Sequence, residues 1–237
     1  MRFLPLLALL LACTPDPTVP FEPITVTEPV TRLDLDNGDG DVFITATAGD
    51  QVVIDATLAS EDVTITPQVA GGILSIQTTC GAAVDTELCV ADFRLSVPES
   101  VEAAVTTAAG DIVLVGMGGD ADLATASGSV EVDGFSADTL LISGDSGIVL
   151  GLRLAAEEVV VSNGRGPIEL NFDQRPLAVS GETTGGDIQF VVPGGTYAVT
   201  ATTDSGEVTV EGIDEDPAST ETLTATSGEG DIWIVGI

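Results

Sequence analysis

A short glycine-led motif that returns every 18 to 20 residues constrains this chain more than any other feature. GDVFI (40–44), GDIVL (110–114), GSVEV (128–132), GIVL (147–150), GPIEL (166–170), GDIQF (186–190), GEVTV (206–210) and GDIWI (230–234) each set glycine before a segment of alternating apolar residues. A fixed period of this length marks stacked repeat units. After a long early gap the anchors Ile112, Val130, Ile148, Ile168, Ile188, Val208 and Ile232 keep steps of 18, 18, 20, 20, 20 and 24. A second series, Val105, Leu123, Leu141, Val160, Val179, Val199 and Leu223, precedes the first by seven to nine residues. Two residues further on, Thr107, Thr125, Ser143, Ser162, Gly181, Ala201 and Ala225 form a column of small side chains, as a tight inner corner requires.

The alternation selects the element type. In GSVEV, Val130 and Val132 face one way and Glu131 the other, and GPIEL repeats this with Ile168, Leu170 and Glu169. That is period two, hence strand, whereas helical repeats need apolar residues at i, i+3, i+4 and i+7. Each unit then supplies two clear strands and a third, less distinct side. An immunoglobulin-like sandwich also turns every 8–12 residues, but it has no reason to hold one coil length over seven units. The expectation is an all-β solenoid with coils of 18–20 residues, each burying a shared apolar column against its neighbours. Residues 45–97 break the rhythm and read as irregular first coils with a disulfide-tied hairpin over the open N-terminal end, where an uncovered strand edge would be sticky. Trp233 is placed to help close the other end.

The N-terminus carries an address. MRFLPLLALLLAC sets Arg2 before an apolar run too short to span a bilayer, which takes about 20 residues. Leu10-Leu11-Ala12-Cys13 resembles the bacterial lipobox, in which the cysteine is lipidated and becomes the first mature residue. Thr14 follows it rather than the aspartate of an inner-membrane retention signal, which points to the outer membrane. Prolines at 15, 17, 20, 23 and 29 make an extended, semi-rigid spacer. The predicted organisation is a signal peptide over 1–12, a lipid-anchored spacer over 13–30 and a solenoid over 31–237, irregular over 31–100 and regular over 101–237.

Charge narrows the partners. The net charge is −32, with no histidine and with arginine as the only basic residue type. Such acidity argues against nucleic acid and anionic headgroups as direct ligands. Cys80 and Cys89, an even pair on an exported chain, form a disulfide in the simplest reading. Closing so short a loop stabilises by about 2–3 kcal/mol on the chain-entropy model.

With these residues in view, the chain resembles a bacterial family named as adhesins and related to the head-GIN domain. Thr107-Ala108-Ala109-Gly110-Asp111-Ile112, Thr125-Ala126-Ser127-Gly128-Ser129-Val130 and Thr203-Asp204-Ser205-Gly206-Glu207-Val208 carry the likeness, which covers residues 30–237. The resemblance implies a single-stranded right-handed β-helix, export, and no catalytic residues to carry over.

Three features of the sequence bear on chemistry. Asp36, Asp39 and Asp41, in an oxygen-rich run from Asp34, are a candidate Ca²⁺ site, set against the ordinary use of Asp and Gly in turns. A polysaccharide lyase or glycosidase on a β-helix needs a base near neutral pKa or placed cations. Without His or Lys, and with Arg32, Arg94, Arg153, Arg165 and Arg175 scattered, a non-enzymatic role is expected. The acidic insertion over 212–217 reads as a surface loop with room for recognition. The functional expectation is a cell-envelope lipoprotein acting as adhesin or scaffold on an unidentified protein or polysaccharide ligand. The alternative is a periplasm-facing protein that binds a partner or senses the envelope.

Overall fold

The computed structural model describes residues 18–81 and 89–237. The described chain is all β, in two large mixed sheets of 12 and 11 strands. It enters through β1 (Val19–Pro20) and β2 (Ile24–Val26), then runs β3 (Arg32–Asp39) and β4 (Val42–Thr47). It reverses in β5 (Val52–Leu58) and β6 (Val63–Ala70) and returns in β7 (Ile73–Cys80) and β8 (Ala91–Pro98). Five regular pairs follow: β9 (Glu102–Ala109) and β10 (Ile112–Val115), β11 (Ala121–Ser127) and β12 (Val130–Asp133), β13 (Thr139–Ser146) and β14 (Val149–Leu154), β15 (Glu158–Arg165) and β16 (Ile168–Phe172), β17 (Ala178–Gly185) and β18 (Ile188–Val192). The chain ends with β19 (Thr196–Ser205), β20 (Val208–Glu211), β21 (Asp214–Glu215), β22 (Thr222–Glu229) and β23 (Ile232–Gly236).

Each coil contributes one strand to each sheet and pairs in parallel with the next, which gives a β-solenoid-like stack. Inward positions such as Ile112, Leu114, Val130, Val132, Ile168, Leu170, Ile188 and Ile232 are at most 1% exposed. The less distinct third side is a narrow corner rather than a strand. Met117, Phe135 and Ala156 are buried there, and the backbone ladder continues through Ser136 N–H to Met117 O and Ala155 N–H to Phe135 O.

The register departs from the sequence reading in the middle coils. Val130 pairs with Val149, and Val149 with Ile168, so Val149 is the core anchor while Ile148 is 48% exposed. In the other sheet Leu123 pairs with Ile142 and Ile142 with Val161, leaving Leu141 exposed and Val160 off the core face. Runs such as Leu140-Leu141-Ile142 and Val159-Val160-Val161 are apolar on both phases, so alternation cannot choose between them. The inner-corner column is Asn37, Thr107, Thr125, Gly144, Asn163, Thr183, Ser227 and Thr203; Ser143 and Ser162 point outward. Gly181, Ala201 and Ala225 stand one inward position earlier, in the column of Val105.

Coils do not stack in chain order. In space β3–β4 lies between β7–β8 and β9–β10, and β22–β23 lies between β17–β18 and β19–β20. The last stretch of chain is therefore an internal coil. Trp233 sits between Gln189 and Thr209, on the strand next to the outermost one, and so does not close the end. The long final step of the repeat is the length needed to step back. Residues 212–221 cross the start of β19, where Asp214 N–H bonds Gly195 O, Asp216 N–H bonds Tyr197 O and Ser219 Oγ bonds Thr196 O. Arg175 pins this strap by pairing with Glu221 while stacking 4.8 Å from the Tyr197 ring centre.

The two poles differ. At the N-terminal pole β5 runs antiparallel on β8 and β6 antiparallel on β7, covering both sheets. The Cys80–Cys89 disulfide ties the corner between β7 and β8 rather than the β6–β7 hairpin. Residues 19–26, read from the sequence as spacer, pair with β5, and Val26 and Val30 are buried. Ile24-Thr25-Val26 has the alternation an edge strand needs, and Pro20 and Pro23 keep the approach extended. At the C-terminal pole β20 is the outermost strand of its sheet, and only two-residue β21 lies beyond β19.

The interleaving makes a prediction, because β17–β18 and β19–β20 present the same columns to β22–β23. A chain ended at Glu211 is expected to dock β19–β20 directly on β17–β18. Amide exchange should then find residues 186–192 still protected; fast exchange there would show that the final coil is indispensable to the stack.

Candidate functional site

The glycine-led corner is the most repeated polar feature of the molecule. Gly40, Gly110, Gly128, Gly147, Gly166, Gly186, Gly206 and Gly230 all have φ between 117° and 156°, a region that essentially only glycine occupies. Space demands glycine as well. A Cβ on Gly128 would lie 2.0 Å from Gly110 O, and one on Gly230 would lie 2.3 Å from Gly186 O. Each of these glycine Cα atoms thus rests on the carbonyl of the glycine one coil below, except Gly40, which rests on Ala91 O.

Those inward carbonyls need donors, and the column three residues earlier supplies them. Thr125 Oγ1 donates to Gly110 O, Asn163 Nδ2 to Gly147 O, Thr183 Oγ1 to Gly166 O, Ser227 Oγ to Gly186 O and Thr203 Oγ1 to Gly230 O, at 2.8–3.3 Å. Asn37, Thr107, Thr125, Asn163, Thr183 and Ser227 are the buried polar side chains among the described residues. Burying a hydroxyl or amide without a partner costs several kcal/mol in an apolar medium, so Thr, Ser or Asn stands three positions before each of these glycines except Gly147, where Gly144 takes that place.

Outside the same corner runs a ladder of carboxylates. Asp92 Oδ1 accepts from Asp41 N–H, Asp41 Oδ1 from Asp111 N–H and Asp111 Oδ1 from Ser129 N–H. Farther along, Asp187 Oδ1 accepts from Asp231 N–H and Asp231 Oδ1 from Glu207 N–H. The ladder stops where Ile148 offers no acceptor and Pro167 no donor.

This arrangement decides how the candidate Ca²⁺ ligands are used. Asp41 belongs to the ladder, Asp36 points to solvent in mid-β3 and Asp39 ends that strand. Among the described residues no group of three acidic, Cys or His side chains is placed to hold a metal ion. The structure does not assemble Asp36, Asp39 and Asp41 into one shell, because Asp36 and Asp39, three apart on β3, fall on opposite phases of the strand and Asp41 lies beyond the turn. Cys13 lies outside the described residues. The arginines do not converge: Arg153 pairs with Asp133 at 2.7 Å, Arg175 with Glu221 and Arg32 with Asp34 at 2.6 Å. Burial raises the Tyr197 hydroxyl above its usual pKa against the opposing pull of Arg175, and that hydroxyl donates to Pro193 O at 2.8 Å.

The surface offers shallow grooves rather than a pocket. One of about 480 Å³ crosses β5, β8, β4 and β10, floored by Phe43 and edged by Asp41, Asp55, Asp92, Arg94 and Asp111. Another, of about 500 Å³, follows the polar corner near the C-terminal pole beside Glu182, Asp204 and Glu229. Sequence reading missed the open C-terminal pole, although the 24-residue final step was a signal for it.

A model of the Toastrack DUF4097 family matches residues 87–234. The chain belongs to this family. Among solved structures, the Toastrack protein is similar to the Bacteroides fragilis "putative adhesin", at 14% identity over 91% of this chain and 97% of that one, with a TM-score of 0.52. Other similar chains are a "putative adhesin" of Parabacteroides merdae (13% identity, 92% and 95% covered, TM-score 0.44) and a "putative lipid binding protein" of Parabacteroides distasonis (14% identity, 90% and 96% covered, TM-score 0.45). At 14% identity the likeness to the Bacteroides fragilis protein speaks to fold alone. No curated protein matches the chain.

The corner rule can be checked by substitution. Gly230→Ala is expected to cost about 3 kcal/mol from strain and overpacking, while Gly185→Ala, whose Cβ would meet nothing within 4 Å, should lie within about 0.5 kcal/mol of the parent. Ser227→Ala should cost about 1–2 kcal/mol by stranding the Gly186 carbonyl, against almost nothing for exposed Thr200→Val. Denaturant melts of the four variants measure this, and equal costs for Gly230 and Gly185 would refute the stacking argument.

Proposed function

We propose that this Toastrack protein is a non-enzymatic cell-envelope lipoprotein whose solenoid is a stiff stand presenting a binding surface away from the membrane. The observation that carries the reading is polarity. Residues 19–26 join the stack at its closed pole, so a lipid on Cys13 would hold that pole to the bilayer and point the other outward. Nine coils at about 4.8 Å each span about 40 Å. The winding is read as a single-stranded right-handed β-helix, in keeping with the handedness of parallel crossovers and with the resemblance to the head-GIN-related proteins. Residues 1–12 act as the signal peptide in this reading, and the outer membrane is the destination. The name given to the similar Bacteroides fragilis protein accords with adhesion. What supports a binder over an enzyme is that the grooves are open and that Arg32, Arg153 and Arg175 are each paired with nearby carboxylates rather than gathered in one site.

Fatty-acid labelling of cells is expected to mark the parent protein and not Cys13→Ala; an unlabelled parent would sink the anchor. A protease site inserted just before Val19 should then be cut on intact cells if the protein faces outward. Protection until the outer membrane is permeabilised would favour the second reading, a periplasm-facing partner binder, which the same open pole would serve.

A further inference from the structure

The C-terminal pole is where the stack stops without a cover. In every inner coil the next coil hides the apolar columns: Val179 is 1% exposed, and Ile188, Leu223 and Ile232 are 0% exposed. In the outermost coil Val199, Ala201 and Val210 are only half-buried and Val208 is 44% exposed. The backbone is uncovered too. Gly230 N–H donates to Ser205 O and Ile232 N–H to Glu207 O; the corresponding N–H groups of Gly206 and Val208 face outward, where no further coil stands among the described residues. An edge of parallel sheet with free donors and acceptors is a template for one more strand.

Charge selects the occupant. No basic residue follows Arg175, and the outer coil and its strap carry Asp204, Glu207, Glu211, Asp214, Glu215 and Asp216. A second copy of this chain would set like charges against one another, which is destabilising across paired strands. Stacking this pole on the other pole of a second copy is blocked by antiparallel β5 and β6. We propose that the edge formed by β19 and β20 takes an extended segment of a partner protein in which apolar and basic side chains alternate. Its apolar side chains would lie over Val208 and Val210 in continuation of the core, and its lysines or arginines would meet Glu207, Glu211 and Asp204. The proposal rests on the reading of this protein as a partner binder and names the site and chemistry of that binding. It is independent of where the cell holds the protein.

The test uses full-length protein and a short synthetic peptide of alternating valine and lysine. The control peptide has the same side chains but is N-methylated at alternate residues, so it keeps the charge and cannot pair as a strand. The unmethylated peptide should bind and slow amide exchange within residues 199–210, and the methylated one should bind far more weakly. Val208→Pro removes one outward donor at the first residue of an edge strand, where proline is tolerated. It should weaken binding roughly five- to tenfold, as loss of one hydrogen bond implies. Glu211→Lys, which leaves the backbone unchanged, should also weaken binding and reduce its dependence on salt. Equal binding of the two peptides, or protection confined to other coils, would overturn the proposal. So would a dimer of the protein alone joined through β20, which would make a second copy the occupant. None of these outcomes bears on labelling at Cys13 or on protease access in cells.

Discussion

Everything in this stack depends on how closely two backbones approach at one corner. There the glycine of one coil lies on the carbonyl of the glycine below, or for Gly40 on that of Ala91, and a side chain as small as a methyl would collide with it. The approach turns carbonyls inward, and a hydroxyl or amide three residues before the next glycine meets them everywhere but at Gly128, where Gly144 stands in that place. Sheet hydrogen bonds alone would tolerate varied corners, but this contact does not. It fixes the same turn in the glycine-led coils and so gives those coils interchangeable upper and lower faces.

Interchangeable faces explain how the chain can be stacked out of order. Gly40 rests on Ala91 while Gly110 rests on Gly40, and Gly230 rests on Gly186 while Gly206 rests on Gly230. The donor column follows the same spatial order, through Thr107 to Gly40 O, Ser227 to Gly186 O and Thr203 to Gly230 O. Placing the last coil inside the stack pins the chain end, where Ile237 N–H bonds Val192 O and Gly194 N–H bonds Ile237 O. Terminal strands ordinarily fray because they have a neighbour on one side only. Here that exposure passes to β19–β20, which is held at both chain ends, by residues 193–195 and by the strap over 212–221.

The repeat was legible because glycine and the alternating strand after it are dictated by local geometry. The disulfide was legible from an even pair of cysteines. The register was not legible where three apolar residues run together: Leu141 and Ile148 lost their places to Ile142 and Val149, since turns lengthen by one residue between coils. Asp36, Asp39 and Asp41 looked like ligands because Asp and Gly serve calcium loops and tight turns alike. Only the position of Asp111 N–H above Asp41 separates the two uses. The order of coils lay beyond pattern reading altogether. The columns of β17–β18, β19–β20 and β22–β23 are alike, so the motif cannot say which pair is adjacent, and the length of the 212–221 connection was the single trace.

The acidic surface then divides into two parts with different consequences. Carboxylates in the corner ladder stand about one strand spacing apart, where two unit charges in water repel by roughly 0.9 kcal/mol before salt screening. Each one that accepts a backbone N–H gains a charge-assisted hydrogen bond of comparable or larger size, so the ladder is sustainable along the rod. At the open pole the acids have no coil beyond them to supply that N–H. Glu207 donates its own N–H to Asp231, but its carboxylate is the last rung, with no N–H above it. The repulsion that the inner coils offset is left uncompensated there. It keeps the edge from pairing with its own kind and leaves the last coil complementary to a strand that brings positive charge.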